Sequence, residues 1–364
     1  MDYVKLGDSD LVVSKVCMGT MTFGMQNTIE EGVEQLKLAN EEYGINFIDT
    51  AEMYPVPTDA ATQGQTDRTV AQFLKKSGVN RSKIVLATKV AGRSSRINWL
   101  PRRKPKTFAK VNAEQIVDSV DASLDRLETD YIDLLQIHWP DRYTGGLFGS
   151  SDFDIAAYQD EDEPHDFTEQ LDGLQQVIQS GKVRYVGLSN ETPYGVCQFV
   201  NLAKQFPDLY PKIVSIQNSY SLVVRKDFEC GLGETCYHHN VSLLPYSPLA
   251  SGSLTGKYRK GAAPKGARLT LFPGFMDRYL GSLNEEAVNA YCELAERHNM
   301  SPATLALSWC FHNDHVASTI IGATSLDQLN ENIRAYDVTL NKEMQSEITK
   351  IYLKYTDPTK ARNN

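Results

Sequence analysis

The chain lacks any stretch approaching the ~18 uninterrupted apolar residues of a membrane span, so a membrane is not an expected partner. A surplus of positive charge is also missing: 37 lysines and arginines face 46 aspartates and glutamates, a net charge of −9. A chain of that sign repels phosphate backbones, which argues against nucleic acid as the main partner. The six cysteines, at 17, 197, 230, 236, 292 and 310, form no CxxC pair, a pattern that suits thiols in a reducing compartment rather than a disulfide framework. The opening MDYVKLGDSD has no basic and then apolar run of a secretory signal. The expected location is the cytoplasm, or an organelle if a transit peptide has been removed.

The common phosphate and metal motifs are missing as well. Gly231 and Gly233 begin a G-x-G, but Cys236 takes the third glycine position and no strand immediately precedes it, so the dinucleotide fingerprint fails. There is no G-x-x-x-x-G-K-[ST] and no HExxH, and His238-His239 and His312…His315 have no third ligand at suitable spacing. These histidines read as solvated helix-face residues, and no metal is expected.

What is present is an alternation. Val/Ile/Leu-rich runs stand at 16–19, 45–49, 84–89, 132–137, 183–188, 213–217, 241–246 and 316–322, as in strands buried on both faces. Amphipathic stretches such as 29–43 and 112–127 lie between them and read as crossover helices. Eight strand-helix units predict a closed parallel (β/α)8 TIM barrel, with a doubly wound open sheet as competitor. The 364 residues suit one barrel domain, although ~150 residues per domain is the general prior. YVKLGDSDLVVS predicts an N-terminal hairpin within residues 1–15, placed to plug the barrel floor, and 343–364 a C-terminal helix followed by a frayed end, TKARNN. Four long connections, 54–64, 93–111, 139–165 and 249–283, each follow the carboxyl end of a strand, where barrels build their sites.

At those strand ends stand Asp49, Tyr54, Lys89 and His138. Each alone reads as an ordinary cap, surface charge or packed ring; together at three successive strand ends they form a proton-donating set. A tyrosine near its ordinary pKa of ~10 is a protonated but sluggish acid. An ammonium at ~4 Å, in an effective dielectric of ~20, favours tyrosinate by up to ~4 kcal/mol before desolvation subtracts some. Buried Lys89 needs a carboxylate, Asp49, to stay charged. Tyr54 is then the donor, and His138 orients the reacting oxygen.

These pieces, with GTMTFG at 19–24, GINFIDTAEMYPVP at 44–57, LDRLETDYIDLLQIHWP at 124–140, GKVRYVGLSNE at 181–191, YSPLASGSLTGKY at 246–258 and IIGATSLDQLNENI at 320–333, resemble the aldo-keto reductase superfamily, in its bacterial Tas-type branch. The resemblance spans almost the whole chain. It implies carbonyl reduction by NAD(P)H, with Asp49, Tyr54, Lys89 and His138 as the catalytic four and Tyr54, His138 and Trp139 at the substrate. It places Gly19, Thr20, Met21 and Gln26 under the nicotinamide ribose, beside Asp49, and Ser189, Asn190 and Gln217 on the carboxamide, with Tyr246 stacked on the ring. Ser247, Pro248, Leu249, Ser251, Gly252 and Leu254 match the pyrophosphate loop, and Lys257 and Arg268 a phosphate clamp. A bidentate arginine grips a 2′-phosphate best, which favours NADPH (NADP+) over NADH. Gly322, Thr324, Gln328, Glu331 and Asn332 match the adenosine-binding turn and helix, Thr324 standing where some relatives carry a basic residue. Asn190-Glu191-Thr192 is also a glycosylation sequon; the coenzyme role is the expected one.

The alternative is a coenzyme-sensing regulatory subunit, because the family includes channel-associated members. Those tend to carry asparagine at the strand-four histidine, whereas this chain has His138. A two-carboxylate barrel hydrolase needs a second acid at a neighbouring strand end, which no strand clearly supplies. The partner is a small-molecule carbonyl compound, and nothing demands more than a monomer or weak oligomer. Trp99, Trp139, Tyr143, Phe148 and Phe275 suit an apolar pocket, whereas Arg93, Arg96, Arg102, Arg103, Lys104 and Lys106 make 93–111 basic. That loop reads as a solvated flap, with attraction of an anionic substrate as its other reading.

Overall fold

The computed structural model describes residues 1–100, 108–145, 153–159 and 166–360. Two short antiparallel strands, β1 (Tyr3–Lys5) and β2 (Val12–Ser14), form the expected hairpin. Their turn needs Gly7, whose φ is 47° and where a Cβ would lie 2.4 Å from the Val214 carbonyl oxygen. Leu6, Leu11 and Val13 are buried against Phe47, Leu134, Val214 and Leu244. The hairpin therefore closes the barrel floor with its own apolar side chains.

Eight parallel strands follow: β3 (Val16–Gly19), β4 (Phe47–Asp49), β5 (Val85–Val90), β6 (Ile132–Ile137), β7 (Val183–Ser189), β8 (Ile213–Gln217), β9 (Ser242–Leu243) and β10 (Thr319–Ile321). Each from β3 to β8 pairs with the next, and β10 pairs with β3. The ring closes where Ala317 N–H donates to the Leu243 carbonyl (3.0 Å) and Ile320 N–H to that of Pro245 (2.9 Å). This is the (β/α)8 barrel expected from the alternation, and the open-sheet competitor fails at that seam. β9 is shorter than the run 241–246. Pro245 has no N–H to donate, and pairing resumes only at the Ser219–Tyr246 bridge.

The helices start where their caps dictate. Thr28 and Glu31 form a reciprocal capping box before Ile29–Glu41, and the Asn112 side chain accepts from Gln115 N–H at the head of Ala113–Leu127; such caps satisfy donors the helix leaves open. The connection 249–283 is not plain loop. It holds short turns at Ala250–Thr255, Arg259–Gly261, Arg268–Leu271 and Asp277–Tyr279, because Leu254, Tyr258, Leu269 and Tyr279 bury themselves against Ala287, Val288 and Tyr291 of Ser282–Arg297.

The C-terminal helix spans Lys342–Lys354. The end expected to fray is docked as far as it is described: Thr359 is buried, Lys360 pairs with Asp227, and Asp357 accepts from the Arg225 and Lys226 amides. All six cysteines are free thiols. Among the described residues, no helix is long and apolar enough to cross a membrane.

Candidate active site

All six residues of β5 and of β6 are buried. A polar side chain there must find a partner, since an unpaired buried charge costs several kcal/mol. Lys89, fully buried on β5, finds Asp49 at the end of β4: its Nζ donates to Asp49 Oδ2 at 2.5 Å and to the Thr50 carbonyl at 2.8 Å. The other oxygen, Asp49 Oδ1, accepts from Gln217 Nε2 (2.8 Å) and Gln136 Nε2 (3.2 Å). Thr50 is itself held by Asp67 (2.7 Å), which pairs with buried Arg126 (2.8 Å). A second buried ion pair thus sets the backbone that receives Lys89.

Tyr54 follows β4 and turns its ring to this cluster, the Lys89 ammonium lying 4.9 Å from the ring centroid. Burial works against the Lys89 charge, but Asp49 and Tyr54 more than offset it and hold the ammonium above the ordinary lysine range. Asp49 is thus the carboxylate expected beside Lys89. The expected fall in the Tyr54 pKa does not occur. Burial raises it by more than Lys89 lowers it, so the hydroxyl stays protonated above the usual tyrosine value.

His138, just past β6, stands edge-on to Tyr54, ring centroids 5.7 Å apart. Burial, and then the nearby Lys89, depress its pKa well below the ordinary histidine value, so the ring is neutral at pH 7. The sign for stability follows from linkage: the unfolded chain takes up the proton first as pH falls. This contribution is complete above about pH 6.5 and is lost on acidification below it. Thermal unfolding followed from pH 7.5 to 5 should show that loss, and His138→Gln should flatten it.

A cleft of about 1010 Å³ opens over the carboxyl ends of the strands. Its walls include Tyr54, His138, Trp139 and Asp49; Gly19, Thr20, Met21 and Gln26 after β3; Ser189, Asn190 and Gln217 at β7 and β8; Tyr246, Ser247, Pro248, Leu249, Ser251, Gly252, Lys257 and Arg268; and Gly322, Thr324, Gln328, Glu331 and Asn332 after β10. Two expected residues are elsewhere. Lys89 lies behind the wall, and Leu254 is not on the cleft but in the core, 1% exposed, where its apolar side chain packs under the turn.

The positions at β7 and β8 are tied together. Tyr246 donates to Asn190 Oδ1 (2.7 Å), Asn190 Nδ2 to the His138 carbonyl (2.9 Å), and Ser189 to the Gln217 carbonyl (2.7 Å). The sequon threonine, Thr192, caps the helix Pro193–Gln205. Glu191 is buried in a bidentate pair with Arg142 (2.6 and 2.9 Å). At the far end, Asn332 Nδ2 donates to the Gly322 carbonyl (3.2 Å), and Gln328 accepts from the Thr324 hydroxyl and amide (3.1 Å each).

Lys257 and Arg268 test whether this cleft fits an anionic coenzyme. No carboxylate among the described residues pairs with either. Burial lowers the pKa of both, and Lys257 is pushed further by Arg268. Arg268 has a neutral partner, Gln26 Oε1, at 3.2 Å. Two part-buried cations that repel one another are stabilised by an anion between them. Gly252 (φ 91°) makes room for this pair, since a Cβ there would lie 2.7 Å from Lys257 Cε. The donor set fits a phosphorylated coenzyme.

Of the aromatic residues expected at a substrate pocket, Trp139 and Phe275 line the cleft. Trp99 packs beside Ile97 and Leu100, and Tyr143 against Phe153; Phe148 lies outside the described residues. So do Arg102, Arg103, Lys104 and Lys106, whereas Arg93 is tied to Asp141. Gln136, Thr50, Asp67, Arg126 and Arg278 were not anticipated. Gln136 left one signal, a lone amide inside the apolar run IDLLQI.

Comparison with known proteins points the same way. The sequence profile of the Aldo/keto reductase family matches residues 15–353. "Protein tas" of Escherichia coli (strain K12) is 43% identical over 358 residues, covering 98% of this chain and 99% of the relative. An "Aldo-keto reductase" of Babesia bovis is 41% identical over 76% of this chain and 98% of its own length. A "Probable voltage-gated potassium channel subunit beta" of Arabidopsis thaliana is 31% identical over 93% of this chain and 92% of its own.

Proposed function

The chain belongs to the aldo/keto reductase family, a family of NAD(P)H-dependent oxidoreductases, and from that premise we propose that it reduces aldehydes or ketones to alcohols with NADPH, Tyr54 supplying the proton. The observation that carries this reading is a tyrosine held protonated on a cleft wall against a buried ammonium–carboxylate pair.

The bound dihydronicotinamide supplies the hydride to the carbonyl carbon. Ser189, Asn190 and Gln217 hold the carboxamide and Tyr246 backs the ring, all four already fixed by the hydrogen bonds between β7, β8 and Tyr246. Tyr54 Oη gives its proton to the carbonyl oxygen, and Lys89 stabilises the phenolate that remains. Asp49 keeps Lys89 charged throughout. His138 Nδ1 is buried with no partner; a proton there would be an unsatisfied donor, so the proton sits on Nε2, where a neutral ring can donate to the carbonyl oxygen and orient it. Trp139 walls the substrate end. Lys257 and Arg268 take the 2′-phosphate, and Gly322, Thr324, Gln328, Glu331 and Asn332 the adenosine.

A coenzyme-sensing subunit is the second reading, supported by the identity to the plant channel-type relative. The imidazole of His138 beside Tyr54 favours turnover. The test is NADPH oxidation in the presence of a panel of aldehydes and ketones, by the protein and by Arg268→Gln. Carbonyl-dependent oxidation is expected, and the variant should lower the NADPH-to-NADH preference in kcat/KM by roughly tenfold or more, the worth of a charge-assisted contact. No oxidation with any carbonyl compound overturns the reading.

A further inference from the structure

One cation of the cleft has no part in the coenzyme contacts assigned above. Arg278, in the turn Asp277–Tyr279, lines the cleft together with Tyr54, His138 and Tyr246. Its Nη2 donates to the Tyr279 hydroxyl at 3.0 Å, its guanidinium lies 4.8 Å from that ring's centroid, and its charge acts on the nearby Tyr246 phenol. Its Nε is buried and has no partner. Among the described residues no carboxylate pairs with it. Among the described residues its hydrogen-bond partner is a phenol, and burial raises the pKa of the neighbouring Tyr246, so that group stays neutral.

Arg278 differs from the phosphate clamp in its partner: Arg268 bonds Gln26, whereas Arg278 bonds Tyr279. Tyr246 bonds Asn190 (2.7 Å), and Asn190 bonds the backbone of His138 (2.9 Å), so the phenol on which the Arg278 charge acts is tied to the residues of the reaction end. Lys257 and Arg268 already provide two cations for the coenzyme phosphate. A guanidinium with a free donor, desolvated and lacking a counter-charge, is built to accept an oxyanion.

We infer that Arg278 recognises an anionic group of the substrate, so that the preferred carbonyl compounds carry a carboxylate. This rests on the reductase reading and narrows its substrate class. An acidic protein carrying a buried cation at the reaction end would draw such a substrate inward by local rather than net charge.

The test compares ortho-, meta- and para-carboxybenzaldehyde with their methyl esters, which keep similar ring electronics and remove the charge. The wild-type protein should prefer at least one acid over its ester by about tenfold or more in kcat/KM, as a charge-assisted hydrogen bond allows. Arg278→Gln should abolish that preference, and Arg278→Lys should keep part of it. NADPH affinity, read by fluorescence titration, tells whether the bound anion belongs to the coenzyme instead. Weaker NADPH binding in Arg278→Gln with an unchanged acid-to-ester ratio overturns the inference. So do esters taken as well as the acids by the wild-type protein, a measurement that needs no variant to fold. In those cases the reductase reading stands; consumption of neither acids nor esters overturns the inference, and overturns the reductase reading too only when the wider panel of aldehydes and ketones is also left unreduced.

Discussion

Tyr54→Phe is expected to lose carbonyl-dependent turnover by roughly 10²- to 10⁴-fold, the range for removing a general acid, while still binding NADPH. The ring itself survives the change, so its edge-on contact with His138 and its place on the cleft wall are kept. Only the hydroxyl that faces Lys89 is lost. Because burial raises the Tyr54 pKa despite Lys89, the donor is protonated at neutral pH. The rate of reduction should therefore stay level, on the account of this group, until the pH passes the ordinary tyrosine value of ~10. Steady-state rates across pH, with fluorescence titration of NADPH, check both halves.

Asp49→Asn is the variant with the largest expected effect on the fold. Both oxygens of Asp49 accept hydrogen bonds, one from Lys89 and the other from Gln217 and Gln136. An asparagine has one acceptor oxygen and one donor nitrogen, so its amide must face either the ammonium or the two glutamines. Breaking a buried pair by removing one partner costs roughly 3–5 kcal/mol. Urea unfolding should show a loss of that order, and turnover should fall with it, because Lys89 then loses the charge that holds it protonated. The raised pKa of Lys89 adds a sign: its folded-state value lies above the unfolded one. Its contribution is complete below about pH 10.4 and fades only as the pH rises past that. Replacing Asp49 and Lys89 together by apolar residues should restore part of the stability and none of the activity.

The barrel was readable in the sequence because strands buried on both faces are near-continuous apolar runs, and eight of them recur. The runs at 16–19, 132–137 and 213–217 match β3, β6 and β8 to the residue. The meeting of Asp49, Tyr54, Lys89 and His138 was readable because strand ends converge on one face. Less visible was what holds them. Gln136 and Thr50 are ordinary polar residues in sequence, and only the fold brings the first to Asp49 and the carbonyl of the second to Lys89. Arg126 and Asp67 sit 59 positions apart on different helices, beyond any local pattern. The direction of the Tyr54 pKa was misjudged for a related reason: the attraction of Lys89 can be set from charge and distance, but the opposing desolvation depends on how completely the ring is covered. Leu254 was misplaced because a motif match carries no information about which way a side chain turns. Arg278 was hidden in a connection read as loop, where the turn Asp277–Tyr279 brings it to the cleft wall.

The central claim is that Tyr54, held protonated beside the Lys89–Asp49 pair, hands a proton to a carbonyl oxygen in the coenzyme cleft. The most direct measurement mixes the protein, loaded with one equivalent of NADPH, with excess aldehyde in a stopped-flow instrument and follows the absorbance band of the reduced coenzyme. The wild-type protein should lose that band in a single turnover, and Tyr54→Phe should lose it about 10²-fold more slowly or worse. A band that persists in the wild-type protein, or that decays at the same rate in both, would contradict the account.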